Sequence, residues 1–286
     1  MIRSLLVCTD GSPCGKVAVR YARHWAERMS LRVTVLFVED LRLTQGPLMT
    51  GYYGPVGMAP SVAYPAFYDD LVHSVKQQAR RVMDEAREAF EDSSLSVGYE
   101  VHEGIVRDVI LDKARSVDLL CLGRQGEHGE WEDGELGSTV QKVLRRSQRP
   151  VLVTPSEFRP LGRLLMAYDG SNHANRALRA ACDLASEAGL PMIVVTVAPD
   201  SRDRPRYDGI LDEARKLVAP YDGIHAEFLA DVEADPENVI MRLSQERQCD
   251  LIVMGAYGES RIREWLLGST TAGVLASSQL PVLLMR

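Results

Sequence analysis

The chain has 286 residues, of which 45% are apolar and 26% charged, and a formal net charge of −7. That composition suits a soluble globular protein with apolar side chains enough for two cores. Both halves are mildly acidic, with 19 Lys and Arg against 22 Asp and Glu up to Glu157 and 14 against 18 beyond it, which excludes nucleic acid and an anionic membrane as default partners.

The apolar stretch at 5–8 is too short for a signal-peptide core, and no later run approaches a membrane span. The five cysteines (Cys8, Cys14, Cys121, Cys182 and Cys249) lack CxxC spacing. They read as buried free thiols of a cytoplasmic protein.

Taken in chain order, a strand at 3–9 runs into Asp10-Gly11-Ser12, and a helix at 14–29 leads to a strand at 32–38. A stretch at 41–68, rich in Gly, Pro, Tyr and Met, reads as an insertion. Beyond it come a helix at 69–92, a strand at 96–102, a helix at 105–116 and a strand at 118–122 ending at Gly123 and Gly126. A helix at 138–147 and a strand at 150–154 close the first half. After a linker at 155–162 the series repeats. Strands are expected at 163–168, 192–198, 224–230, 250–254 and 281–285, with helices at 173–188, 207–218, 236–247 and 269–278. Several strands are apolar almost throughout, such as Leu251-Ile252-Val253-Met254, as parallel strands covered on both faces are. Strands alternating with helices predict right-handed crossovers on a parallel sheet. Each half is therefore an α/β, doubly wound, five-stranded unit, with units at 1–157 and 158–286.

The halves are copies of one another. LLVCTDGS from Leu5 recurs as LMAYDGS from Leu165, and DLLCLGRQG from Asp118 recurs as DLIVMGAYG from Asp250. LGSTVQKVLRRSQRPVLVTP from Leu136 recurs as LGSTTAGVLASSQLPVLLMR from Leu267, and 28 residues separate Asp10 from Val38 and Asp169 from Val197 alike.

Ligands of doubly wound sheets bind beyond the carboxyl ends of the strands, and three features of each half fall there. Asp10 or Asp169 can accept hydrogen bonds from a ribose or an adenine amine, or can turn the chain and help cap the next helix. Val38 or Val197 ends the second strand, where its backbone could meet the edge of a base or its side chain simply fill core. The loop after the fourth strand, Gly255 and Gly258, then nine residues, then Gly268-Ser269-Thr270, lets backbone amides approach a ligand and opens a helix whose free N–H groups suit phosphate.

The set DGS, then G-x2-G-x9-G-S, then a terminal PVLLM strand resembles the universal stress proteins, in particular their ATP-binding subclass, and the resemblance covers nearly the whole chain twice. It implies a sheet in the order 3-2-1-4-5, ATP held between the first and fourth strands with Mg²⁺ or Mn²⁺ on the phosphates and no metal ligand from the protein, and pairing of the halves through their last strands. Carried over by position, Asp169 contacts the ribose, Val197 the adenine, and Gly255, Gly258, Gly268, Ser269 and Thr270 the phosphates. The matching positions in the first half are Asp10, Val38, Gly123, Gly126, Gly137, Ser138 and Thr139. There the spacer between Gly126 and Gly137 has ten residues and holds five carboxylates without a Lys or Arg, whereas the second spacer carries Arg261 and Arg263. Negative charge near a triphosphate disfavours it, so nucleotide is expected mainly in the second half. A homodimer is expected through the Tyr- and Met-rich insertion.

Other chemistries find no pattern. Gly11 to Lys16 is one residue short of a P-loop, the six histidines form neither HxxxH nor HExxH, and Ser12 and Ser171 have no GxSxG setting. Three functions remain open: an ATP-binding regulatory stress protein without fast catalysis, a slow ATP hydrolase or nucleotidyl-transfer enzyme, and a pairing protein that binds no nucleotide.

Overall fold

In the computed structural model, residues 2–42, 64–126, 136–256 and 267–286 are described, 64–69 by backbone alone. The first half runs β1 (Ser4–Cys8), α1 (Pro13–Met29), β2 (Arg32–Asp40), α2 (Tyr64–Glu88), β3 (Val97–Gly104), α3 (Val106–Ala114), β4 (Leu119–Gly123), α4 (Ser138–Arg146) and β5 (Val151–Thr154). The second runs β6 (Leu164–Ala167), α5 (Asn172–Ala188), β7 (Met192–Ala198), a 3-10 turn (Ser201–Asp203), α6 (Arg204–Val218), β8 (Ala226–Val232), α7 (Pro236–Glu246), β9 (Leu251–Gly255), α8 (Ser269–Ser277) and β10 (Val282–Met285).

All ten strands form one sheet in the order β3-β2-β1-β4-β5-β10-β9-β6-β7-β8. Within each half the pairs are parallel, as the strand-helix alternation predicts, and the order is 3-2-1-4-5, as the resemblance implies. The halves join where β5 and β10 pair antiparallel, with Leu283 opposite Leu152 and Val282 opposite Val153. The duplicated PVLV and PVLL endings are thus the two sides of a seam. Each would otherwise be an open apolar edge.

Strand side chains alternate between two faces, and the helices divide accordingly. Leu5, Val7, Leu152 and Leu283 face a core built with α1, α2, α5 and α6. Leu6, Val151, Val153 and Leu284 face a second core built with α3, α4, α7 and α8. The linker is held against α1: Phe158 packs on Tyr21 with ring centroids 4.8 Å apart, Arg159 N–H donates to Tyr21 Oη (3.0 Å), and Leu161 N–H donates to His24 Nε2 (3.2 Å).

Several boundaries differ from the sequence expectation: β3 and β8 run on to Gly104 and Val232, α2 stops at Glu88, and α6 begins at Arg204. β2 continues two residues past Val38 because Glu39 and Asp40 find partners in Glu103 and Gly104 of β3. The second helix begins at Tyr64, so the end of the 41–68 stretch is helical. Most of that stretch lies outside the described residues, and with it the homodimer expected through it.

Candidate functional site

Both Asp-Gly-Ser segments fold into the same turn. Gly11 and Gly170 adopt φ of +85° and +80°, a region open to glycine, and a Cβ on Gly11 would meet Val82 Cγ2 at 2.6 Å. Asp10 Oδ1 accepts from Ser12 N–H (3.0 Å) and Asp169 Oδ1 from Ser171 N–H (2.9 Å). Ser12 and Ser171 then cap α1 and α5 by accepting from Gly15 N–H and Ala174 N–H, each at 3.1 Å. The turn-and-cap reading of these aspartates therefore holds, and each carboxylate also lines a cavity at the carboxyl end of its sheet.

The first cavity, about 320 Å³, is lined by all seven first-half positions: Asp10, Val38, Gly123, Gly126, Gly137, Ser138 and Thr139. The second, about 290 Å³, is lined by Asp169, Val197, Gly255, Gly268, Ser269 and Thr270. Gly258, Arg261 and Arg263 lie outside the described residues, as do the five carboxylates of the first spacer.

The ladder pattern decides which way Val38 and Val197 present their backbones. Thr9 N–H donates to Leu36 C=O (3.0 Å) and Tyr168 N–H to Val195 C=O (2.8 Å), each just as the first strand of its half ends. The N–H and C=O of one residue point to the same side of a strand, and the side alternates with each residue. Val38 and Val197, two residues further, therefore direct both polar groups to the side that β1 and β6 have vacated, which is the cavity. That geometry goes beyond core packing.

At the other end of each cavity a helix starts on glycine. Gly137 and Gly268 cap α4 and α8 with ψ of 141° and 147° and no side-chain cap, so the first-turn amides have no intrahelical acceptor. The Gly137 N–H donates to Arg124 C=O (3.0 Å) and the Gly268 N–H to Ala256 C=O (3.3 Å), tying each helix start to the glycine loop. Close approach explains the loop glycines. A Cβ on Gly123 would stand 2.6 Å from the Cys14 carbonyl carbon, one on Gly255 3.0 Å from Ala174 N, and one on Gly126 2.7 Å from Asp10 Oδ2.

The two cavities differ in chemistry. Asp10, Glu39, Asp40 and Arg42 line the first. There burial pushes the Asp40 carboxyl up, but hydrogen bonds from Arg42 (2.9 Å from Nε to Oδ1) and its charge outweigh burial and leave it below the usual range. Burial also drives the pKa of the half-buried Cys8 thiol, which lines this cavity, far above its ordinary value. Of the described residues lining the second cavity, Asp169 alone is a carboxylate. Burial pushes Tyr168 up to about 12, keeping its hydroxyl protonated, and it donates to Asn175 Oδ1 at 2.6 Å.

Sequence reasoning missed Tyr207 of α6 and Thr271 in the second cavity and Gln78 and Arg42 in the first. Thr271 was within reach, since aligning the two repeats sets it against Val140. Its hydroxyl donates to Gly255 C=O (3.1 Å), a tie that Val140 cannot make. Tyr207 arrives from a helix with no motif.

The family model described as the universal stress protein family matches residues 1–155 and again 160–286. The chain belongs to the universal stress protein family. It is a tandem member, and full-length relatives are similar throughout. The universal stress protein Slr1230 of Synechocystis is 30% identical over 100% of both chains. The universal stress protein Rv1996 of Mycobacterium tuberculosis is 25% identical over 99% of this chain and 94% of its own. A universal stress protein structure from Archaeoglobus fulgidus superposes with a TM-score of 0.72 at 19% identity, covering 99% of this chain and 98% of that one, a likeness of fold. No helix among the described residues is long and apolar enough to cross a membrane.

Proposed function

We propose that this tandem universal stress protein is an ATP-binding regulatory module that holds its nucleotide mainly in the second-half cavity. The observation that carries the reading is the convergence there of three recognition elements. Val197 turns its backbone donor and acceptor into the cavity where an adenine edge would pair. Asp169 stands at the end of β6 for a ribose hydroxyl. The uncapped amides of Ser269 and Thr270 lie at the start of α8 for phosphates.

The preference for the second half rests on charge. Among the described residues three carboxylates and one arginine line the first cavity, and that arginine is engaged by Asp40, while one carboxylate lines the second. A triphosphate is repelled less by the second.

Mg²⁺ or Mn²⁺ belongs to this reading as a phosphate-bound ion. Among the described residues no group of three or more His, Cys, Asp or Glu side chains could hold a metal; the Ser269 and Thr270 hydroxyls that line the second cavity are oxygen donors of the kind such an ion takes. It would neutralise phosphate charge, and the chain's own residues bind and orient.

Denaturing the purified protein and identifying released nucleotide by mass spectrometry, with calorimetry on the emptied protein, tests the proposal. ATP is the expected release. ADP in its place would favour slow hydrolysis, and the absence of both release and binding would refute nucleotide recognition.

A further inference from the structure

The antiparallel seam has a geometric consequence. Strands of the first half run opposite to those of the second, so the carboxyl edges of the two halves lie on opposite edges of the one sheet. A helix that starts at one half's cavity therefore runs toward the sheet edge on which the other half's cavity lies. α8 starts at Gly268 in the second cavity, and its last carbonyls reach the edge where the first half's glycine loop lies.

Arg124 sits in that loop, between Gly123 and Gln125. Its main chain belongs to the first site, because its C=O accepts from Gly137 N–H at 3.0 Å and its N–H donates to Thr154 C=O at 2.8 Å. Its half-buried side chain crosses the seam: Nη1 donates to Ala276 C=O at 3.0 Å and Nη2 to Ser278 C=O. These carbonyls belong to the last residues of α8 and its C-cap.

A nine-residue helix is marginal without outside support, and a cation at its C-terminus both satisfies orphan carbonyls and complements the dipole. α8 has no basic residue in its own last turn, whereas α4, its counterpart, has Arg145 and Arg146. The reciprocal brace also exists, as Arg286 Nη1 donates to Arg145 C=O (3.2 Å) and Ser147 C=O (3.1 Å). α4 therefore has three cations at its end, and α8 has Arg124.

We propose that Arg124 is a positioning residue for the second-half nucleotide site, supplied by the first half, which braces α8 so that its N-terminal amides stay aimed at the phosphates. This rests on the nucleotide reading above. It also makes the first half part of the second half's site, and ties the two sites together, since the same residue's backbone C=O holds the N-cap of α4.

The chemistry dictates the test. A brace on α8 acts on phosphates and leaves the base and ribose contacts of Val197 and Asp169 alone. Titrate the full chain with MgATP and with adenosine by calorimetry, in an Asp10→Ala background that weakens any binding in the first cavity, and compare Arg124 with Arg124→Ala and Arg124→Lys. Arg124→Ala should weaken ATP roughly three- to tenfold, the size expected for a partly buried helix-end cation, while adenosine binds as before. Arg124→Lys, which keeps the charge but loses the planar fork, should recover part of the loss. ATP affinity unchanged in Arg124→Ala, or ATP and adenosine lost equally in both variants, overturns the inference. A parent protein that binds neither ligand overturns the nucleotide reading and this inference with it.

Discussion

Asp169 tests whether a turn residue is also a ligand residue. Its Oδ1 accepts from Ser171 N–H at 2.9 Å, part-buried, and that bond shapes the turn from which Ser171 caps α5. Asp169→Ala removes the acceptor. A hydrogen bond to a charged group contributes about 1.5–3 kcal/mol and a neutral one about 0.5–1.5, so Asp169→Ala should lower unfolding free energy by about 1–2 kcal/mol. Asp169→Asn keeps an amide oxygen where Oδ1 stands and should cost less than about 1 kcal/mol. The ligand ledger is separate. If Asp169 accepts from a ribose hydroxyl, losing the acceptor in Asp169→Ala weakens ATP by about 1–3 kcal/mol, or roughly five- to 150-fold, with Asp169→Asn in between. Urea denaturation gives the first quantity and calorimetry the second, on the same samples. A variant less stable by the expected amount that still binds ATP with parental affinity would show that Asp169 serves the turn alone.

Three further outcomes follow from the packing. His24 accepts from Leu161 N–H at Nε2, which requires that nitrogen unprotonated; burial and then the Arg28 charge hold its pKa below 6.5 against an opposing Glu27. Because the folded value is depressed, the unfolded chain takes up the proton first. The contribution is whole above pH 6.5 and lost as pH falls from there toward the folded value, so the acid-side fall in urea midpoint should shrink in His24→Gln; an identical fall in both proteins would count against this. At the seam, Leu152 and Leu283 are fully buried opposite one another; each alanine variant should cost about 2–5 kcal/mol, and a double-mutant cycle should give a coupling of at least about 0.5 kcal/mol, additivity being the adverse result. Gly123→Ala drives a Cβ into the Cys14 backbone at 2.6 Å and should cost about 1–3 kcal/mol, more than Gly255→Ala with its nearest atom at 3.0 Å; equal denaturation midpoints would show that α1 yields freely.

Much of this architecture was legible because its signals are local. Each buried parallel strand is a short apolar run with a stop, and a helix begins at Ser12-Pro13 for the same capping reason as at Ser171. Repetition and the family resemblance supplied the rest: PVLV matching PVLL marks the two last strands through which the resemblance has the halves pair. Site positions were legible for a related reason, since Asp, the second-strand valine and the glycine loop all sit one step past strands whose ends the apolar runs mark. What escaped was tertiary. β2 extends to Asp40 only because β3 offers Glu103 and Gly104 as partners, and no local pattern says so. Tyr207 reaches the second cavity from a helix whose sequence advertises nothing. The grip of Tyr21 and His24 on the linker depends on where α1 passes.

Arg124 shows most clearly why a duplicated sequence need not make duplicate sites. Its position in the repeat matches Ala256, so one half supplies a side chain where the other supplies a methyl group. In two separate five-stranded units that difference would be a surface substitution. The antiparallel seam turns it into a contact, because it brings the first half's glycine loop beside the far end of α8. The helix lacking its own terminal cation, α8, is the one that Arg124 reaches, and the helix carrying Arg145 and Arg146, α4, is met by Arg286 from the chain's end. Joining two copies along β5 and β10 thus does more than cover an apolar edge: it lets a side chain of one half reach the helix end of the other, as Arg124 and Arg286 do.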